Sequence, residues 1–460
     1  MSVHNDTIFA LATPNGRSGV AVIRVSGPAA LKSLEYFLSE EDRKAIKPRF
    51  AYLASLFSPL IDRNVSHETS GKMIDKGLVI YFKAPNSFTG EDVIEFQLHG
   101  SPAVISELSR HLSQIEGYRP AERGEFTRRG FENGRMDLTE AEAVADLIDA
   151  ETTAQKDQAL SQMSGTLKNL YEGWAAELTK SLAFLEADLD FPDEDLPEGV
   201  AAQVLPKIQA LKAEIEAHLN DNRRGERLRD GINIAVIGAP NAGKSSLVNA
   251  LAQRDVAITS DFAGTTRDVL DVHLNIAGYP VILSDTAGLK PELLSGDAKN
   301  AQDYIESEGI KRAIKVAQQA DIKLLVFEAH QPADEATKAL IDEHSLIIHN
   351  KSDLADTHED KNALYISVSE NKGLGQLLAA LEDKIKGLIG TSSAPTLTRE
   401  RHRHQLQECM DSLDRALGAE LPELMAEDIR LAVRALGRIT GRVDVEDLLD
   451  LIFNEFCIGK

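Results

Sequence analysis

The sequence predicts a multidomain chain that combines α/β and all-α regions, with a doubly wound α/β domain inserted between two helical segments. Three observations lead to this fold class. The 460 residues are too many for one compact core. Apolar strands alternate with helical stretches from residue 232 to about residue 390, which is typical of a parallel sheet with crossover helices. Runs rich in Ala, Leu and Glu on both sides predict helices that pack into one bundle.

The first region of the chain has a different texture. Gly, Pro and Asn clusters separate short β-branched segments at residues 20–25, 78–82 and 93–98, which predicts a small mixed α/β domain. From Leu138 the pattern becomes helical, and Thr139 with Glu142 has the spacing of a capping box. These changes divide the chain into four segments, at residues 1–121, 122–224, 225–385 and 386–460. The second and fourth segments are expected to form one discontinuous helical domain.

Composition excludes several classes of protein. Fifty basic and 73 acidic residues give a formal charge of −23, which argues against a protein that coats nucleic acid. No stretch approaches the roughly 20 apolar residues of a membrane-spanning helix, and the N-terminus lacks the pattern of a signal peptide. Two cysteines are too few for a disulfide framework or a zinc finger. We therefore expect a cytoplasmic protein without membrane association.

The clearest motif is the P-loop at residues 238–245, Gly-Ala-Pro-Asn-Ala-Gly-Lys-Ser, between an apolar strand and a helix-forming run. Backbone N–H groups of such a loop cradle phosphates, the lysine reaches the β- and γ-phosphates, and the serine hydroxyl holds Mg²⁺. The residues expected at the phosphates are Asn241, Ala242, Gly243, Lys244, Ser245 and Ser246.

Three further motifs follow in the order of a GTPase. Thr266, within Gly-Thr-Thr-Arg-Asp, offers a second hydroxyl for Mg²⁺. Asp285-Thr-Ala-Gly ends a strand and offers a carboxylate near the metal. The carboxylate of Asp353, in Asn-Lys-Ser-Asp, can accept both guanine N1–H and N2–H₂, which adenine cannot offer together, so GTP is the expected nucleotide. The further residues expected at GTP are Ser260, Thr265, Thr266, Asp285, Thr286, Ala287, Gly288, Asn350, Lys351 and Asp353.

Hydrolysis needs a group other than the usual glutamine. Leu289 stands directly after Asp-Thr-Ala-Gly, where many GTPases carry a Gln that orients the attacking water. Asn241 and the loop at residues 260–265 supply oxygens that could hold a monovalent cation against the phosphates, in place of an arginine finger.

Markers outside the GTPase motifs resemble the MnmE (TrmE) family of tRNA uridine-modification GTPases, and the resemblance spans nearly the whole chain. The segments that carry it are Asp-Thr-Ile-Phe-Ala at 6–10, Ile-Arg-Val-Ser-Gly at 23–27, Ser-Phe-Thr-Gly-Glu-Asp at 87–92, His-Gly at 99–100, Gly-Glu-Phe-Thr at 124–127, Asn-Gly-Arg-Met-Asp-Leu at 133–138 and Phe-Cys-Ile-Gly-Lys at 456–460. The resemblance implies an N-terminal tetrahydrofolate-binding-like α/β domain that also dimerises, a discontinuous helical domain and an inserted Ras-like domain.

The resemblance also implies a reaction. Family members act as homodimers with an FAD-dependent partner of the MnmG (GidA) type, in a heterotetramer. Together they add a carboxymethylaminomethyl or aminomethyl group to C5 of the wobble uridine of certain tRNAs. They use GTP hydrolysis, K⁺, Mg²⁺ and a one-carbon unit from 5-formyltetrahydrofolate or a related reduced folate. The chain itself shows no flavin fingerprint, because the glycines at 16–19 lack its spacing and its strand-to-helix context.

Carried over position by position, the resemblance implies roles for individual residues. Glu306 is expected to position the attacking water, and Lys244 and Asn241 to assist catalysis. Cys457 matches a C-terminal cysteine of the family, although a free Cys beside two phenylalanines is more often buried packing, and its role stays open. The implied ligands are Asn241, Ser260, Phe262 (carbonyl) and Thr265 for K⁺, Ser245 and Thr266 for Mg²⁺, and Arg24, Glu95, Arg135 and Lys460 for the folate.

Departures from the family and alternative functions are also visible. Ser260 replaces a usual Thr, but its hydroxyl can still act as a K⁺ ligand. Arg123 stands in place of a usual Pro and Ser101 in place of a usual Gly, which puts the fine geometry of the folate site in doubt. The runner-up function is an Era-like ribosome-assembly GTPase switch, although the Gly-x-x-Gly at 387–390 lacks the strand and helix framing of a KH domain. A purely structural GTP-binding scaffold would need a crippled P-loop, and Lys244 and Ser245 are intact.

Overall fold

The computed structural model describes residues 5–58, 71–190, 200–254, 271–285, 314–354, 360, 362–390, 395–443 and 445–459. The chain divides into two compact units. Unit 1 consists of residues 1–145 and 437–460, and unit 2 of residues 146–436.

Unit 1 contains a six-stranded sheet. Its strands are β1 (Thr7–Leu11), β2 (Ser18–Ser26), β3 (Ala51–Phe57), β4 (Met73–Phe82), β5 (Val93–Gly100) and β6 (Tyr118–Pro120), in the order β3-β4-β5-β2-β1-β6. Only the β1–β6 pair is parallel; the other pairs are antiparallel. Alternate residues of the strands point into one apolar core, in which Ile23, Val79 and Phe96 are fully buried. The mixed α/β domain predicted for this region is confirmed.

Short helices complete unit 1. They are Lys32–Phe37, Glu40–Ala45, Pro102–Leu112, Glu125–Glu132 and Glu446–Asn454. Phe453 and Phe456, from the C-terminal segment, pack with Leu138 in a second apolar cluster. The last described residues therefore belong to the N-terminal unit, because their apolar side chains are buried against it.

The capping box of helix Leu138–Asp149 differs from the prediction. The backbone N–H of Asp137 donates to the Glu140 carboxylate at 2.7 Å, and the backbone N–H of Glu140 donates to Asp137 at 2.8 Å. Thr139 and Glu142 are buried inside the helix instead, so the assignment of the box to that pair was wrong. Either pair has the required three-residue spacing, and Asp is as good a cap as Thr.

Unit 2 contains the second six-stranded sheet. Its strands are β7 (Ile232–Gly238), β8 (Asp271–Ile276), β9 (Tyr279–Asp285), β10 (Ile322–Glu328), β11 (Ser345–Asn350) and β12 (Leu364–Tyr365), in the order β12-β11-β10-β7-β9-β8. All pairs are parallel except β8–β9. Those two strands form a hairpin whose turn residues Ala277 and Gly278 both have positive φ, the geometry of a two-residue turn that matches strand twist.

The other regular elements that the structure describes in unit 2 are mostly helices, some of which pack against the sheet and some against one another. They are Thr153–Met163, Thr166–Asp190, Val200–Leu219, Arg224–Asp230, Lys244–Ala252, residues 314–319, Glu335–Lys338, Leu374–Ile389 and Glu400–Gly418, with a 3₁₀ turn at Ser352–Leu354. Helices Leu138–Asp149 and Pro422–Thr440 contain the points at which the chain passes between units. The Gly-x-x-Gly at 387–390 is a helix end, because Gly390 is the C-cap of Leu374–Ile389.

Helices from before and after the P-loop sheet in the chain pack together. Arg403, in helix Glu400–Gly418, donates to the Leu219 carbonyl at 2.7 Å and pairs with Asp221 at 2.8 Å. Lys212, in helix Val200–Leu219, forms a further ion pair with Asp414, in helix Glu400–Gly418. The α/β region is thus inserted into a helical region, as the sequence predicts. Among the described residues, no helix is long and apolar enough to cross a membrane.

Candidate functional site

The P-loop connects β7 to helix Lys244–Ala252. Asn241 and Gly243 have φ values of 70° and 92°, so the chain reverses through left-handed conformations before the helix begins. The Lys244 ammonium donates to the carbonyls of Gly238 at 3.1 Å and Ala239 at 3.0 Å, and Lys244 is 7% exposed. Phosphate oxygens are charged and stronger acceptors than these neutral carbonyls. The loop and its lysine are therefore arranged to bind a polyphosphate.

One buried amide joins three loops at the carboxyl edge of the sheet. Asn350 ends β11 and is 3% exposed. Its Nδ2 donates to the Ala242 carbonyl of the P-loop at 2.9 Å, while its Oδ1 accepts from the backbone N–H of Val368 at 3.4 Å. The strands that precede these loops lie in one sheet, and their carboxyl ends meet at one edge, the usual location of ligands in open α/β sheets.

The carboxylate expected to read the base lies open beside these loops. Asp353 is in the exposed 3₁₀ turn Ser352–Leu354. A hydrogen bond from the hydroxyl of Ser367, which is fully buried, lowers the pKa of Asp353 below its ordinary value of 3.8. The carboxylate is therefore ionised at neutral pH and can accept two N–H groups along one edge of a guanine.

The structure brings part of the predicted nucleotide site together. Asp285 ends β9, and its backbone pairs in register with Val236 of β7, the P-loop strand. Ala242 is buried, whereas Ser245 and Ser246 are exposed at the start of the helix. The remaining predicted nucleotide and metal residues lie outside the described residues: Ser260, Phe262, Thr265, Thr266, Thr286, Ala287, Gly288 and Glu306.

A second candidate site lies in unit 1, where Arg24 of β2 stands directly opposite Glu95 of β5. Their side chains form an ion pair at 2.9 Å and are 18% and 14% exposed. The Arg24 guanidinium also lies over the rings of Phe88 and Phe126, at 5.7 and 5.6 Å from their centroids. Both aromatic residues lie in segments that carry the family resemblance, but the sequence analysis did not predict either as a site residue.

Arg135 and the C-terminal tail approach the same part of unit 1. Arg135 is exposed, and its side chain packs against Gly90, in the loop that also holds Phe88; a Cβ at Gly90 would lie 3.1 Å from Arg135 Cγ. Gly459 lies against the Leu11 carbonyl at the end of β1, and Lys460 lies outside the described residues. Cys457 is exposed, so the expectation of buried packing was wrong; the neighbouring phenylalanines alone are buried.

A buried charge cluster, which we call the Arg129 cluster, supports the Arg24 site. Arg129 is fully buried and pairs with Asp6 at 2.8 Å, Glu125 at 2.9 Å and Glu91 at 3.2 Å. Burial alone would raise the pKa of Glu125, but hydrogen bonds from Arg119 and Arg129 lower it. Glu91 belongs to the loop that carries Phe88, and Glu125 to the helix that carries Phe126. The cluster therefore joins the loop and the helix that carry these two aromatic residues.

The fold and the three joined loops define the class of the protein as a P-loop nucleotide-binding protein. The sequence matches two family profiles, described as "MnmE helical domain" over residues 138–457 and "GTP-binding protein TrmE N-terminus" over residues 7–135. The chain belongs to the MnmE (TrmE) family of tRNA modification GTPases.

Curated relatives agree over the full length. The protein described as "tRNA modification GTPase MnmE" from Parvibaculum lavamentivorans is 50% identical over 459 residues, which is 99% of this chain and 100% of that protein. The protein of the same description from Rhodospirillum rubrum is 48% identical over 99% of both chains. Because these matches extend through both units, the Era-like alternative is not favoured.

One solved structure is similar to part of the chain. The G domain of the T. maritima FeoB iron transporter is 21% identical, covers 35% of this chain and 99% of that chain, and has a TM-score of 0.25. That score is too low to support any statement about this protein.

Proposed function

We propose that this chain hydrolyses GTP in the cytoplasm as part of tRNA wobble uridine modification. In this proposal it acts as a homodimer with an FAD-dependent MnmG-type partner, and a reduced folate supplies the one-carbon unit. The observation that supports this proposal is the hydrogen bond from Asn350 to the Ala242 carbonyl, which connects the P-loop to the segment that holds Asp353. Mass spectrometry of tRNA nucleosides from a deletion strain tests the proposal: the modified wobble uridine should be lost.

Cation dependence is the first detailed part of the proposal. Asn241 and Ser245 are exposed at the P-loop and offer neutral side-chain oxygens, which hard cations such as K⁺ and Mg²⁺ accept as ligands. Such cations would supply positive charge beside the phosphates. The further ligands proposed at Ser260, Phe262, Thr265 and Thr266 lie outside the described residues. Turnover should be faster in potassium than in sodium at matched ionic strength, and equal rates would refute K⁺ dependence.

Water activation is proposed for Glu306. Leu289 cannot polarise water, and the family resemblance puts the water-positioning carboxylate at Glu306, outside the described residues. A group with this role contributes roughly 10²–10⁴-fold to turnover. Single-turnover GTP hydrolysis should therefore collapse in Glu306→Ala with binding intact, whereas the matched variant Glu308→Ala should retain near-normal rates.

Folate binding is proposed for the Arg24 site. A carboxylate such as Glu95 can pair with pterin N–H donors, and cations such as Arg24 and Arg135 can pair with the glutamate tail of the folate. Phe88 adds a partly exposed aromatic ring beside Arg24. Lys460 completes the proposed set but lies outside the described residues.

The redox step is assigned to the partner protein. Gly16 lies in the connection between antiparallel strands β1 and β2, and Gly19 lies within β2, so neither glycine is at the start of a helix and they do not form a dinucleotide-binding turn. If the purified chain alone modified the wobble uridine from folate, GTP and glycine or ammonium, this part of the proposal would be wrong. We also retain the proposed domain limits of residues 1–121, 122–224, 225–385 and 386–460.

A further inference from the structure

An ion pair lies immediately behind the base-reading turn. Glu328 is the last residue of β10, and its backbone is in register with Asn350 of β11. The Lys351 ammonium donates to Glu328 Oε2 at 2.8 Å, and the side chains of Glu328 and Lys351 are 12% and 32% exposed. No motif in the sequence marks Glu328.

The backbone around this pair is tightly constrained. Lys351 has a φ of 59°, a left-handed conformation that a residue with a Cβ rarely adopts. The N–H of Ala329 donates to the Asn350 carbonyl at 2.8 Å, which joins the ends of the two strands. His330 Nε2 lies 3.5 Å from the same Glu328 oxygen. The carboxylate is therefore held between two basic side chains at a fixed position.

Lys351 directly follows Asn350, which bonds to the P-loop. It lies two positions before Asp353, the residue proposed to read the base. Its four-carbon stem is the apolar part of a side chain anchored at both ends, by the backbone turn and by Glu328. We propose that Glu328 is a positioning residue for guanine-nucleotide binding: it holds Lys351 so that the lysine stem covers one face of the base while Asp353 reads its edge. This inference rests on the proposed function, because it requires that the loops bind GTP.

The test compares Glu328→Gln with a matched ion-pair variant. Removing the negative charge frees the ammonium. The GDP dissociation rate and the KM for GTP should therefore each rise by about 1.5- to 5-fold, the range expected for losing a partly exposed ion pair. Because Glu328 does not touch the reacting atoms, kcat should be unchanged. The control is Asp342→Asn, which breaks the 2.6 Å pair between Asp342 and Lys323 at the opposite end of β10. Asp342→Asn should leave the GDP dissociation rate and the KM for GTP unchanged.

A double-mutant cycle with Lys351→Met tests whether Glu328 affects nucleotide binding through Lys351. Methionine keeps an apolar stem but not the ammonium, so Lys351→Met alone should also weaken GDP binding, and Glu328→Gln should add nothing in its background. An additive loss, or wild-type dissociation in Glu328→Gln, overturns the inference. If Glu328→Gln lowers the melting temperature so far that binding cannot be measured, unchanged GDP dissociation in Lys351→Met overturns it equally. Failure of the wild-type chain to bind GTP would instead refute the proposed function.

Discussion

The Asn350 amide lies 2.9 Å from the Ala242 carbonyl and donates a hydrogen bond to it inside the protein. These residues are 108 positions apart in the chain, and they belong to the two loops that we propose to face the base and the phosphates respectively. The bond sets the separation of the two loops. The two loops are therefore joined without a ligand, which would lower the entropy cost of nucleotide binding in the proposed site.

We expect Gly243→Ala to abolish nucleotide binding. A Cβ at residue 243 would lie 2.2 Å from Asn350 Nδ2 and would have to be accommodated at a φ of 92°. Asn350 can move only by breaking its bond to Ala242, so the two loops would separate. Titration with a fluorescent GTP analogue should show affinity at least 10-fold lower than in the wild type.

The matched control is Gly375→Ala. Gly375 lies in helix Leu374–Ile389 with open space around the position of a Cβ. Alanine should leave binding unchanged and stabilise the helix by about 1 kcal/mol. Wild-type affinity in Gly243→Ala would show that the Asn350 bond does not organise the site.

The Arg129 cluster should be essential for the stability of unit 1. Arg129→Met would leave Asp6, Glu91 and Glu125 without the cation that they share. Breaking a buried charge cluster in this way costs about 3–5 kcal/mol. Urea denaturation of the full chain, followed by a probe in unit 1, measures the loss. The control Lys44→Met removes an exposed pair with Glu40, 75% and 71% exposed, and should cost less than about 1 kcal/mol. Similar losses in the two variants would contradict a central role for Arg129.

His218 should make the stability of unit 2 depend on pH. Its imidazole packs against Tyr171 and Trp174, with Asp221, Arg224 and Arg403 nearby. Burial lowers its pKa from 6.5 to about 4. Between these pH values the unfolded chain binds a proton that the folded chain does not, so stability falls as the pH drops below 6.5. This loss in the free energy of unfolding is absent well above pH 6.5 and reaches about 3 kcal/mol near pH 4.

Comparison of urea midpoints from pH 4 to pH 7 checks this expectation. In His218→Gln the urea midpoint should fall less between pH 7 and pH 4 than it does in the wild type. The control His404→Gln replaces a histidine whose side chain is 68% exposed and should leave the slope as in the wild type. An identical slope in His218→Gln and the wild type would rule out His218 as the source.

Folate binding should require both members of the Arg24–Glu95 pair. Calorimetry with 5-formyltetrahydrofolate should show affinity at least 10-fold lower in Arg24→Gln and in Glu95→Gln, because each loses a charge-assisted hydrogen bond to the ligand. Glu40→Gln, an exposed carboxylate elsewhere in unit 1, is the control. The loss of stability must be measured alongside, since either change also leaves its partner unpaired. Unchanged affinity in a folded Glu95→Gln would remove Glu95 from the proposed site.

The sequence predicted features whose cause is local. The P-loop could be read because its strand, loop and helix follow one another within 21 residues, Ile232 to Ala252, and require glycines at set positions. Strands β2, β4 and β5 of the first sheet were predicted from their apolar segments, and the second sheet from its alternating strands and helices, since buried strands are apolar runs bounded by turns, whereas β1, β3 and β6 were not predicted. β8 was missed, although Val272, Leu274 and Ile276 alternate as a half-buried strand does, because its turn is Ala-Gly and not one of the usual hairpin pairs.

Only the tertiary structure decided which distant residues meet. Nothing local distinguishes Arg129, which is buried among three carboxylates, from Arg128, which is part-exposed one position earlier. The same holds for Glu328, whose partner Lys351 directly follows the neighbouring strand, and for Cys457, whose exposure its phenylalanine neighbours did not indicate. Motifs are set by short-range backbone geometry, which the sequence encodes directly. Ion pairs, burial and pKa shifts depend on how segments far apart in the chain pack, so they became visible only in the folded protein.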